Sequence, residues 1–310
     1  MKISIRHIHI LTFIVLVSIS SCSKPKSQDV AATAASKGAF TLPDIPSNLL
    51  SENERVSYML AHYWDNYDFQ DTLVIKDPNV TEQAVVNYIN LFRVATPDEI
   101  SVSIKNMLSK SQNNPLVFKY FTSVYEKYLY DPNSPMRDDR FYIPVLEFIV
   151  ESPRVQEIDK TRPKAILQLA QKNLPGMKAT DFAYITASGK VRRVSDVKAE
   201  LTILLFYVPG CKGCELTIKE ISSNPRLVGL IESGKLKVLA IYAEGDLQEW
   251  KKYQPSIPYL WINGCDTRRE IIKKSLYDLK ASPTIYLLSR HKEVLLKDTT
   301  IPQLIQFITQ

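Results

Sequence analysis

Residues 201–214 read LTILLFYVPGCKGC, and this stretch decides the fold. Leu201–Val208 is an apolar run of strand length, and Cys211 opens what reads as a helix over Cys211–Ile221. Two cysteines separated by two residues at a strand-to-helix junction form the smallest unit that passes a disulfide back and forth. The helix N-terminus and the neighbouring Lys212 favour a thiolate on Cys211, and the thiolate is the attacking species. Cys214 follows one turn later, placed to resolve a mixed disulfide by closing the ring.

Working outward from this junction, strands and helices alternate. A hairpin signal, Ala187-Ser188-Gly189-Lys190, separates strands predicted at Phe182–Thr186 and Val191–Val194. Further strands are predicted at Leu236–Ala243, Tyr259–Ile262, Thr284–Leu288 and Val294–Lys297. The helices between and after them fall at Leu247–Tyr253, Thr267–Leu279 and Pro302–Ile308. Such alternation predicts an α/β domain, a central sheet with helices on both faces. Upstream, Leu49–Leu174 reads as helical, with a proline-rich turn at Tyr130–Arg137 and its last helices at Phe141–Val150 and Pro163–Asn173. Ser51-Glu52-Asn53-Glu54 and Thr96-Pro97-Asp98-Glu99 have the form of capping boxes, and Asn114-Pro115 opens a further helix. Phe118, Phe121, Tyr125 and Tyr128 fall on one face of that helix and read as a core face rather than a peptide groove.

The first 21 residues are a targeting segment, not fold. Lys2 and Arg6 make a basic start, Ile8–Ile19 is apolar but short for a membrane span, and Ile19-Ser20-Ser21-Cys22 fits a bacterial lipoprotein signal with Cys22 lipidated. An acylated N-terminus predicts a chain anchored in the cell envelope and facing the periplasm, with inner or outer membrane left open. The polar, small-residue stretch that follows reads as a flexible tether over 22–40, and the helical domain spans 41–174. Of the 310 residues, those from Lys172 onward carry 21 basic and 14 acidic side chains, so the half with the cysteine pair is the basic one. No aromatic-interleaved basic strip accompanies that excess, which excludes nucleic acid as the expected partner. Once Cys22 is spent on lipid, Cys211, Cys214 and Cys265 remain, too few for a disulfide-stapled scaffold. Cys211, Cys214, Cys265 and His291 match no compact zinc spacing, and no metal or other cofactor is expected. Cys265 reads as an inert, partly buried thiol.

The cysteine pair at a strand-to-helix turn, followed by Ala281-Ser282-Pro283-Thr284 entering a strand, resembles the thioredoxin fold. The resemblance implies a cis Ser282–Pro283 bond beside the pair, with Ser282, Pro283 and Thr284 shaping a substrate groove. With the added helix and strand before Pro283, the hairpin and the lipid anchor, the predicted thioredoxin-like domain, 175–310, resembles over about Met177–Gln310 the membrane-tethered TlpA/ResA-type thiol–disulfide oxidoreductases. The helical half, with its Tyr130–Arg137 turn and Phe141-Tyr142-Ile143-Pro144, is similar to a domain of unknown function that precedes thioredoxin-like domains in lipoproteins of Bacteroides-type bacteria. Three positions depart from the pattern. Gly210 stands where a Trp precedes the first cysteine, Leu205 where thioredoxin has a buried acid, and Thr217 where TlpA/ResA-type proteins keep a Glu. Glu215, Glu220 and Glu244 are the candidates to replace these acids.

The resemblance implies exchange with protein thiol and disulfide substrates, with Cys211 as nucleophile, Cys214 resolving and Lys212 stabilising the thiolate. In the reducing direction a membrane electron donor is required. The competing expectation, motivated by Gly210, Leu205 and Thr217, is a non-catalytic thioredoxin-like module whose helical domain recognises a partner protein.

Overall fold

Ser51 starts the helical half as its sequence dictates: its Oγ accepts the Glu54 N–H at 3.2 Å while the Glu54 carboxylate accepts the Ser51 N–H at 3.0 Å. The helices of this half are α1 (Glu52–His62), α2 (Thr81–Asn90), α3 (Pro97–Ser111), α4 (Pro115–Leu129), α5 (Asp139–Glu151) and α6 (Glu157–Ala170). Thr96 and Glu99 repeat the reciprocal cap at α3, and the Asn114 side chain caps α4. Pro163, read from the sequence as a helix start, instead lies inside α6. This computed structural model describes Phe40–Thr309. The targeting segment, Cys22 and the tether through residue 39 lie outside the described residues. Phe40, at the end of the expected tether, stacks on Trp64 with ring centroids 5.5 Å apart, so packing begins there.

The helical core is aromatic. Trp64 meets Tyr67, Tyr88 and Phe121 edge-on, and Phe121 and Tyr125 are fully buried. Phe118 and Tyr128 pack partly buried against the same cluster, so the aromatic stripe of α4 is a core face.

The second half is a seven-stranded mixed sheet in the order β2-β1-β5-β4-β3-β6-β7. Its strands are β1 (Ala183–Thr186), β2 (Val191–Arg193), β3 (Leu201–Phe206), β4 (Leu236–Tyr242), β5 (Ile262–Cys265), β6 (Thr284–Ser289) and β7 (Val294–Leu296). β3 lies parallel to β4 and antiparallel to β6, which brings Phe206, at the end nearest the cysteines, opposite Thr284. Both faces are covered, which is why β3 and β4 read as predominantly apolar runs, interrupted only by Thr202 and Lys237. One face receives α7 (Lys212–Ser223), α8 (Pro225–Glu232), α9 (Leu247–Tyr253) and α11 (Ile301–Thr309). The other receives Ile271 of the short α10 (Glu270–Lys273) together with Phe182, Val194 and Tyr277.

Three elements differ from the sequence expectation. β5 begins at Ile262 rather than Tyr259, because residues 254–261 are taken up by a 3₁₀ turn and the turn at Pro258. Only Glu270–Lys273 of the helix expected over Thr267–Leu279 forms. Arg269 and Ser275 bracket it with positive φ values of 57° and 48°. α8 is an additional helix, opened by Asn224 accepting the N–H groups of Arg226 and Leu227.

The two halves pack as one compact unit. Their contact contains a buried charge cluster. Asp139 of α5 meets Lys280 Nζ through Oδ1 and Lys297 Nζ through Oδ2, both at 2.8 Å, with all three side chains under 10% exposed. The Lys297 contact is an ion pair whose angle falls outside that of a hydrogen bond. Arg137 Nε donates to Asp298 Oδ2 at 3.0 Å, and the Tyr130 hydroxyl donates to Asp278 Oδ2 at 3.2 Å.

Candidate active site

The loop Pro209-Gly210 turns β3 into α7, with Gly210 at a φ of +71°. Cys211 is the N-cap of α7: its Sγ accepts the Cys214 N–H at 3.3 Å, one of the amides the helix cannot satisfy internally. The sulfur is partly exposed, whereas Cys214 is completely buried in the core beneath α7. Both cysteines are free thiols.

From the far side of the sheet, the loop before β6 closes on the same sulfur. The Cys211 thiol donates to the Ser282 carbonyl at 3.5 Å, and the Ser282–Pro283 bond is cis. A Cβ on Gly213 would sit 3.4 Å from Pro283 Cδ and 3.6 Å from the Ser282 oxygen, so the loop rests directly on the first turn of α7. Thr284 is buried, and its hydroxyl donates to the Ala281 carbonyl at 2.6 Å, pinning the turn from within. The structure therefore brings together Cys211, Cys214, Ser282, Pro283 and Thr284. Lys212 is the exposed first residue of α7. Cys22 lies outside the described residues.

The two thiols differ in kind. Burial, and next the hydrogen bond with Cys211, push the Cys214 thiol up to about 12 from an ordinary value of 9.0. No carboxylate contributes to that shift. The fold thus favours protonated Cys214, and the associated stability, present below pH 9.0, is lost as pH climbs toward 12. Leu205 and Thr217, at the family's acidic positions, are buried, while Glu215, Glu220 and Glu244 are exposed. None of these three carboxylates is placed in the core beside Cys214. Cys265 is buried at the end of β5, and burial pushes its thiol up to about 11.

Aromatic support beneath the pair escapes sequence reading. Tyr207, the residue after β3, stacks on Tyr253 of α9 at 5.8 Å, and its hydroxyl donates to Asn263 Oδ1 at 2.8 Å. Trp250 Nε1 donates to the same oxygen at 3.0 Å. The position of Tyr207 two residues before Pro-Gly-Cys was the available signal for its role; nothing local marks Asn263. A cavity of about 400 Å³ opens beside Val208 and Ser282 and runs to the helical half at Tyr130 and Leu169.

The family described as a domain of unknown function (DUF5106) matches residues 18–173. The crystal structure of a thioredoxin-like protein from Bacteroides caccae is 42% identical, with a TM-score of 0.82, and the match covers 87% of this chain and 98% of that one. A conserved protein of unknown function from Bacteroides fragilis is 42% identical over 44% of this chain and 98% of its own, with a TM-score of 0.43. A domain of a possible thiol-disulfide isomerase from Cytophaga hutchinsonii is 24% identical over 45% of this chain and 94% of its own, with a TM-score of 0.38. No curated protein matches the sequence.

Proposed function

Since the chain belongs to the DUF5106 family, whose helical unit is followed here by a thioredoxin-like half, we propose that it is a thiol–disulfide oxidoreductase acting on protein disulfides in the cell envelope. One observation carries this reading: an accessible Cys211 sulfur held between the Cys214 amide and the Ser282 carbonyl, with Cys214 buried directly behind it.

In the reducing direction the Cys211 thiolate attacks one sulfur of a substrate disulfide. A Cys211–substrate bond forms, the substrate S–S bond breaks, and the other substrate sulfur leaves with the electron pair. Losing its proton, Cys211 gives up its donation to the Ser282 oxygen and keeps the Cys214 amide, which points at developing negative charge. The exposed ammonium of Lys212 adds to that preference. Cys214 then loses its proton and attacks the Cys211 sulfur, releasing the second substrate thiolate and leaving a Cys211–Cys214 disulfide. Two electrons have passed to the substrate, and a membrane electron donor must restore the dithiol, since the compartment holds no reducing buffer. Insulin-disulfide reduction by the full chain with dithiothreitol is the test. Precipitation faster than dithiothreitol alone supports the reading, and an equal rate overturns it in favour of a non-catalytic module.

Resolution is the pH-sensitive step. The thiolate fraction of a thiol rises tenfold per pH unit below its pKa, and Cys214 lies far above neutrality. The lifetime of the mixed disulfide in the chain that retains Cys214 is therefore expected to shorten about tenfold per unit between about pH 7 and 9. A rate already flat across that range, measured by quenched-flow alkylation, would show that a group other than solvent takes the Cys214 proton.

Lipidation of Cys22 supplies the proposed anchor, with the catalytic half facing the periplasm. Cys22→Ser is expected to move the chain from the membrane to the soluble fraction, because among the described residues no helix is long and apolar enough to cross a membrane, which leaves the acylated Cys22 as the proposed anchor. A Cys22→Ser chain that stays with the membrane pellet would remove the anchor from the scheme.

A further inference from the structure

We propose that the cavity beside the cysteine pair is a subsite for a large apolar side chain next to the reacting cysteine of a protein substrate, with one wall supplied by the helical half. The proposal rests on the exchange activity set out above and specifies what that site selects.

The cavity begins at the two residues that hold Cys211. The Cys211 N–H donates to the Val208 carbonyl at 3.2 Å and its thiol to the Ser282 carbonyl at 3.5 Å, and both Val208 and Ser282 line the opening. Cys211 itself does not line the space, so whatever occupies it sits one residue away from the attacking sulfur, against the two residues that hold it. Phe206, Tyr207, Ala243 and Tyr277 form the sheet-side lining, and Tyr130 and Leu169 close the opposite side. A volume of about 400 Å³ lies at the small end of ligand pockets, suited to one bulky side chain rather than a cofactor.

The buried charges in the lining, Asp278 and Lys280, are already engaged. Lys280 Nζ lies 2.8 Å from Asp139 and 3.6 Å from Asp278, and sits 4.0 Å over the Tyr130 ring. Asp278 also accepts from the Tyr130 hydroxyl. An apolar occupant therefore strands no buried charge, since Glu244 is exposed to solvent. Glu244 and Asp278 against Lys280 leave the lining with more negative than positive groups, which disfavours an acidic neighbour in the substrate.

The test uses the full chain in detergent carrying Cys214→Ser, so that the mixed disulfide is the end point. The probes are two short peptides whose single cysteine is activated as a mixed disulfide with 5-thio-2-nitrobenzoate, one with Phe beside the cysteine and one with Ser. Cys211 thiolate attacks the peptide sulfur, a Cys211–peptide bond forms, and coloured thionitrobenzoate leaves with the electron pair. The Phe peptide is expected to react about tenfold faster, the discrimination an apolar pocket supplies. Leu169→Trp, and separately Ile272→Trp on the exposed rim, should fill the space and bring the ratio close to unity. Equal rates for the two peptides, or a ratio unmoved in both Trp variants, overturns the subsite. The symmetrical dithiobis-nitrobenzoate serves as a probe with no flanking residue. Its reaction alongside equal peptide rates leaves the redox reading standing, and its failure to react overturns that reading together with the subsite.

Discussion

Cys211→Ser is expected to lower insulin-disulfide reduction by at least about a thousandfold, to the rate of dithiothreitol alone, because removal of a nucleophile removes the whole covalent route. The asymmetry of the two thiols makes the prediction sharper than a loss of activity. Cys211 is partly exposed and caps a helix, whereas Cys214 is buried with its thiol pushed up to about 12. Cys214→Ser should therefore leave the first exchange intact and accumulate Cys211–substrate adducts, visible as a mass increase that dithiothreitol reverses. Cys211→Ser should give no adduct on the described thiols, since the remaining two, Cys214 and Cys265, are buried and burial raises both further above neutrality. Adducts on Cys214 in the Cys211→Ser chain would reverse the assigned roles.

Much of this site was legible in the sequence, and the reason is local. Cys211 and Cys214 are positioned by one strand, one turn and one helix, each with its own signal within about a dozen residues. The partner loop, Ala281-Ser282-Pro283-Thr284, is remote in sequence, yet its Pro and its entry into an apolar strand marked it, and β6 pairing with β3 delivers it to the sulfur. The errors fall where tertiary contacts outweighed pattern. Thr267–Leu279 has helical periodicity, but the Asp266 carboxylate accepts the Ile271 N–H at 2.8 Å and Tyr277 is drawn into the sheet core, which cuts the helix to one turn. β5 contains Gly264, a weak strand former. A Cβ there would lie 2.5 Å from the Tyr184 ring, so glycine is set by a neighbouring strand rather than by local preference. Asn224-Pro225 bears the same opening signature as Asn114-Pro115 and marks α8 equally well.

The contact between the halves had no sequence signal, because its pairs join positions well over a hundred residues apart. It also links the helical half to the Ser282–Pro283 loop: Lys280, held by Asp139, lies three residues before Pro283, and Lys297, held by the same carboxylate, follows β7. A role for the helical half in shaping the site follows from this connection more directly than from its fold.

Asp139→Ala is expected to destabilise the chain by about 3–5 kcal/mol, the cost of stripping the partner from a buried charge. The Asp139, Lys280 and Lys297 side chains are 5%, 8% and 5% exposed, so water cannot replace the lost carboxylate. Lys280 would retain Asp278 and Asp298 only at 3.6 Å, and Lys297 would keep the Ala170 and Lys172 carbonyls at 2.7 and 2.8 Å but no carboxylate. A cluster that balances three acids, Asp139, Asp278 and Asp298, against Arg137, Lys280 and Lys297 would become net cationic. Asp65→Ala supplies the contrast. Asp65 pairs with Lys110 at 2.9 Å, but the two side chains are 42% and 49% exposed, and its loss is expected to cost no more than about 1 kcal/mol. Urea unfolding of the full chain, monitored by tryptophan fluorescence, measures both. Equal midpoint shifts for the two variants would mean that the buried cluster is solvated in the native state and does not hold the Ser282–Pro283 loop to the helical half.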